Sequence, residues 1–106
     1  MTLPEAHVGD VGTVLQKTVT GSDGTTPLDL STATAMVLIV TDAAENRTSL
    51  TGAFPAGGDG TDGVVEFTSE SNTWTRAGTS REQVQVTFPS GTWSAEITER
   101  EIYRKL

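Results

Sequence analysis

The chain contains no cysteine and a single histidine, His7. Without cysteine there is no disulfide framework and no thiolate metal site, and both oxidising and reducing compartments stay open. His7 stands near the N-terminus, flanked by Glu5 and Asp10, and no Gly-x-Ser-x-Gly elbow accompanies it. A hydrolytic triad therefore has little to be built from, and an exposed or capping histidine is expected. Long apolar runs are also missing. The longest, 35–40, is far short of the ~20 residues of a membrane helix. Residues 1–10 lack a basic run followed by an apolar stretch, so no signal peptide is read. Positive charge is scarce: 7 Lys and Arg against 14 Asp and Glu give a net charge of -7. Such a field repels phosphate backbones and anionic lipid, which disfavours nucleic acid and membrane as partners and favours solubility.

What is present favours strands. The 106 residues fit one domain, 1–106, with enough chain for one ordinary core. Thr and β-branched residues are common, and 11 glycines and 4 prolines punctuate them. Pro4, Pro27, Pro55 and Pro89 all fall between the candidate strands, as a residue without an N–H must. Residues 8–20 predict a first strand with Val11, Leu15 and Val19 on one face. The run 35–40 is apolar at both parities, which predicts a central strand covered on both faces. Residues 47–54 predict a weaker, more exposed strand with Leu50 and Phe54 as its apolar contacts. Residues 64–69 predict a strand with Val65 and Phe67 together. Between them, 71–78 predicts an irregular turn around Trp74.

The clearest local pattern lies near the C-terminus. Val84, Val86 and Phe88 alternate with Gln83, Gln85 and Thr87; Pro89-Ser90-Gly91 predicts a turn; Trp93, Ala95 and Ile97 resume the alternation. Beyond Ile97 the parity slips, and a bulge, a frayed end or a docking tail each accounts for Ile102 and Tyr103. The whole predicts an all-β fold, an immunoglobulin-like β-sandwich of about seven short antiparallel strands.

Chemistry is sparse. Residues 57–65 match one copy of the Gly-Gly-x-Gly-x-Asp-x-apolar-x calcium nonapeptide, with Asp62 as its acid and Val64 as its apolar residue, and a single Ca²⁺ would be held through Asp59 and Asp62. That motif works by stacking successive copies, so a flexible hairpin loop is expected instead. The remaining carboxylates read as solvated surface. No catalytic residue, cofactor or metal ligand is assigned. Trp93 reads as core, whereas Trp74 is equally suited to core or to stacking on a sugar.

Several segments, in order, resemble the N-terminal domain of phage baseplate upper proteins. They are His7-Val8-Gly9-Asp10-Val11-Gly12-Thr13-Val14-Leu15, Asp29-Leu30-Ser31-Thr32-Ala33-Thr34, Asp59-Gly60-Thr61-Asp62-Gly63, and the hairpin 77–93. The resemblance implies an immunoglobulin-like domain that joins other structural proteins of a tailed phage virion: at the baseplate, at the neck or on the capsid. It implies no enzyme activity, and it transfers no contact residue. The expected location is the virion, after synthesis in the host cytoplasm. Partners are expected to be other virion structural proteins, with a homo-oligomer within the particle also open. The competing expectation is a carbohydrate-binding or adhesion module.

An assembled particle uses edges and termini of such a domain. The contact regions expected are an N-terminal arm, 1–7, and a docking tail, 99–106, in which basic residues accompany apolar ones. Its candidates are Arg100, Ile102, Tyr103, Arg104 and Leu106, and removal of 100–106 is expected to leave the fold intact.

Overall fold

The computed structural model describes residues 6–21, 24–95 and 97–104. Eight strands are formed, with no helix among the described residues: β1 Ala6–His7, β2 Val14–Thr18, β3 Ala35–Thr41, β4 Arg47–Thr51, β5 Val64–Thr68, β6 Gly78–Phe88, β7 Gly91–Ser94 and β8 Thr98–Tyr103. Six lie in one sheet, in the order β1-β8-β6-β3-β4 with β7 also against β6; β2 and β5 make a second, antiparallel pair. The chain is an all-β sandwich. Its six-against-two division differs from the four-against-three of an immunoglobulin constant domain. One pair also departs from the antiparallel expectation, because β1 runs parallel to β8 with Ala6 opposite Ile102.

The spine is β6. Along one side it pairs with β3 from Arg81 to Thr87; along the other it pairs first with β8 and then with β7. Period-two burial follows from this placement. On β6 the inward positions are Ser80, Glu82, Val84 and Val86; on β3 they are Leu38 and Val40. Leu15 of β2, and Val65 and Phe67 of β5, meet them from the small sheet. Two strands cannot cover six, so loops complete the lid. Val19 and Leu30 come from the β2–β3 connection and Trp74 from the β5–β6 connection, all at 1% exposure or less. Each fully buried apolar side chain contributes about 1.5–3 kcal/mol relative to exposure.

The sheets are joined where the chain leaves β4. Ala53 exchanges two backbone hydrogen bonds with Glu66 of β5, at 2.9 and 2.8 Å. Gly52 makes the crossing possible, since a Cβ there would stand 2.7 Å from the Phe67 ring and 2.8 Å from Val65. The 57–63 segment thus connects strands of different sheets rather than closing a hairpin. Its carbonyls at Gly60 and Gly63 accept from Leu30 and Val19, each at 2.8 Å. Gly60 holds φ +86° with the Phe54 ring 2.5 Å from where a Cβ would sit, a position open to glycine alone.

Three strand expectations shift. Val11 is 70% exposed rather than inward, because β2 begins only at Val14, after Gly12 breaks the alternation at φ +84°. The apolar run 35–40 does form a central strand, but Val37 and Ile39 on its outer face are only half covered. Ile97, expected inward with Trp93 and Ala95, is 59% exposed.

Candidate protein-contact surface

The cause of the last shift is a bulge. From the Gln85–Ser94 pair to the Glu82–Thr98 pair, β6 holds two intervening residues, 83–84, and its partner holds three, 95–97. One extra residue on one side of an antiparallel ladder is a β-bulge, which re-aims the side chains beyond it. Odd-numbered Trp93 and Ala95 pack toward the core, and after the bulge the even-numbered Arg100 and Ile102 do so. Ile97 is left facing outward.

This geometry reassigns the predicted docking tail. Residues 98–103 are strand β8, held between β1 and β6. Ile102 is 1% exposed, part of the core cluster, so it offers nothing to a partner. Arg100 also points inward, where its Nε donates to Glu82 Oε1 at 2.7 Å. Lys17 of β2 lies 2.7 Å from the other oxygen of Glu82. Glu82 is 1% exposed, so this carboxylate is a buried charge neutralised from both sheets. Of the remaining candidates, Tyr103 is 46% exposed and packs at 5.9 Å, tilted, against His7. Arg104 is exposed beside Val8, Thr75, Arg76 and Ala77. Leu106 lies outside the described residues, as does the predicted arm before Ala6. Removal of 100–106 would take away most of β8, contrary to the expectation that the fold survives it.

The surface that the bulge creates is on the outer face of the large sheet. A shallow groove of about 360 Å³ is lined by Ile39, Thr41, Glu45, Arg47, Arg81 and Ile97, among others. Ile39 comes from β3, Arg47 from β4, Arg81 from β6 and Ile97 from the bulge. Glu45 sits in the β3–β4 turn at φ 62°, a left-handed conformation uncommon for a side chain of this size. It faces Arg81 across 3.1 Å, both groups well exposed. Arg47 has no carboxylate partner among the described residues. The groove therefore combines two isoleucines with charges of both signs, Arg47 and Arg81 against Glu45 and Glu82, and Arg81 is already paired with Glu45.

The turn that presents Glu45 is pinned by Asp42. Its carboxylate accepts from the backbone N–H of Ala44 at 3.0 Å, Asn46 at 2.9 Å and Thr75 at 2.8 Å, and from the Thr75 hydroxyl. Burial alone would raise the Asp42 carboxyl, but these donors, the Thr75 hydroxyl foremost, hold it below its usual 3.8.

The other sequence candidates have local roles. His7 Nδ1 is 3.7 Å from Asp10, whose carboxylate accepts from the His7 backbone N–H at 2.9 Å. Asp59 accepts from the N–H of Thr61 at 3.1 Å and its hydroxyl at 2.7 Å; Asp62 accepts from Val64 N–H at 3.1 Å. Among the described residues no three His, Asp or Glu side chains converge on a common metal position. Trp74 is fully buried, so its indole offers no stacking platform to a sugar. Ile39, Arg47, Arg81 and Ile97 were not legible as a site. The parity slip after Ile97 was the one available signal, and it marks the bulge.

No described protein family, characterised protein or solved structure matches the chain.

Proposed function

We propose that the chain is a non-enzymatic structural component of a tailed phage particle, acting through protein–protein contacts at the baseplate, neck or capsid. The observation that carries the contact part is the outward Ile97 in a groove with Ile39, Arg47 and the Arg81–Glu45 ion pair, on a sheet face that no other described strand covers. An exposed apolar centre with an arginine rim is the composition of protein interfaces, where Arg is enriched and water is excluded from the middle. The particle part is supported by the ordered resemblance of the four sequence segments to a phage virion domain. A small sandwich in which β1 and β4 stand at the edges of the large sheet, with no further strand paired to them among the described residues, suits such an assembly.

Particles assembled with the tagged chain and purified on a density gradient test this. The wild-type chain is expected to co-purify with them. An Ile97→Asp, Arg47→Glu variant that melts like wild type is expected to be depleted. Absence of the wild-type chain from particles refutes the virion role; normal incorporation of the folded variant refutes the groove as the contact.

A further inference from the structure

We infer that the free edge of β2 pairs with β2 of a second copy of this chain, antiparallel about Gln16, to form a two-fold dimer. The inference goes beyond the particle role proposed above and uses none of the groove's residues.

The small sheet holds only β2 and β5, and β5 is engaged on both sides, by β2 and by the Ala53 bridge at Glu66. β2 has a strand partner on one side alone among the described residues. Backbone bonds at its two ends fix its phase. Ser69 N–H donates to the Thr13 carbonyl at 2.9 Å, and Val19 N–H donates to the Gly63 carbonyl at 2.8 Å. In an antiparallel ladder the backbone groups of alternate residues face the partner strand. Leu15 and Lys17 therefore face β5, and the N–H and C=O groups of Val14, Gln16 and Thr18 face away from it. The side chains of those three residues are exposed. A cleft of about 130 Å³ is lined by Lys17 and Thr18 of β2 and by Ala95 and Thr98 of the large sheet, among others. A gap rather than a ladder separates the two sheets there.

Natural sheet edges are guarded by charge, by proline, by a bulge or by brevity. β1 is two residues long, β7 spans four, and the outward row of β4 begins with Arg47. β2 has none of these guards. It runs for five residues with Val14, Gln16 and Thr18 outward, and its one charge, Lys17, turns inward to Glu82. The row is also complementary to itself. Gln16 opposite Gln16 of the second copy sets Val14 opposite Thr18 at both ends, and each of these pairs exchanges two backbone bonds. Two β-branched side chains meet at each end and two amides meet on the axis. Lys17 falls opposite Leu15 of the second copy, so no like charges are opposed. A shift of two residues in either direction leaves an outward residue of each strand unpaired. The contact is isologous, so it closes at the dimer.

The chain has no cysteine, so single introduced cysteines report the register. Residues opposite each other in a hydrogen-bonded pair stand about 5.5 Å apart at Cα, within disulfide reach. Under mild oxidation Gln16→Cys is expected to yield a disulfide dimer. Val14→Cys and Thr18→Cys are each expected to react alone no faster than Ser49→Cys on the outward row of β4, and to cross-link when mixed. In sedimentation velocity, wild type is expected to shift from monomer to dimer as its concentration rises. Gln16→Lys sets two ammonium groups on the axis, and a variant that melts like wild type is expected to remain monomeric. Gln16→Cys that reacts no faster than the β4 control overturns the inference, as does dimerisation that survives Gln16→Lys. A wild type that is monomeric up to its solubility limit yet enters particles overturns the dimer alone and leaves the particle role standing.

Discussion

Upstream of the bulge, β7 places Trp93 opposite Val86, half-buried, at the rim of the core. Downstream, β8 places Ile102 opposite Gly78 at 1% exposure and Arg100 opposite Ser80, beside the buried Glu82. The two strands flank the same side of β6, yet their inward residues have opposite parity. One inserted residue separates a rim strand from a core strand, and it also turns Ile97 toward solvent. In a period-two structure, identity of face depends on counting residues from the last irregularity, not on local hydrophobicity. Changes on the two sides of the bulge should therefore differ sharply.

The largest effect is expected from inserting one alanine between Thr98 and Glu99. The insertion turns Ile102 outward and sends Glu99 and Glu101 into the core, so the cooperative thermal transition should disappear from circular dichroism. Ile102→Ala should cost about 2–5 kcal/mol in urea unfolding, as expected for a fully buried aliphatic side chain. Glu82→Gln leaves Lys17 and Arg100 without their shared carboxylate. Breaking a buried pair costs about 3–5 kcal/mol. Both cations here are partly exposed, at 18% and 22%, so the loss should fall at or below the lower figure. Asp42 gives a smaller and pH-dependent effect. Its folded carboxyl is depressed below 3.8, so its stabilisation is complete above that value and lost as pH falls through the folded value. Urea midpoints of wild type and Asp42→Asn should differ most at neutral pH and converge in strong acid.

Much of the framework was legible from pattern alone. β3, β5 and the β6–β7 hairpin follow runs or alternations of apolar residues, although β3 buries only one face of its run fully. The first half of β6 was not legible, because its inward positions are Ser80 and Glu82. Polar residues on the core face look like an exposed stretch unless their partners, Lys17 and Arg100, are known. β1 was illegible for its length, two residues held in place by pairing with β8 rather than by its own propensity. β8 was hidden by the bulge: a charged segment without clean alternation read as a tail because Ile102 broke the established parity. The groove escaped for the same reason, since Ile97 had been counted with Trp93 and Ala95. The Arg47 and Arg81 rim depends on β3 lying between β4 and β6, a topological fact that no local pattern carries.

The bulge makes a sharp distinction between two isoleucines five positions apart. Thermal melts of Ile97→Asp and Ile102→Asp test it most directly. The outward residue should tolerate the carboxylate with a change within about 0.5 kcal/mol, while the inward one should leave no folded protein. Equal destabilisation of the two variants, or greater loss at position 97, would contradict the register on which both the core and the contact surface depend.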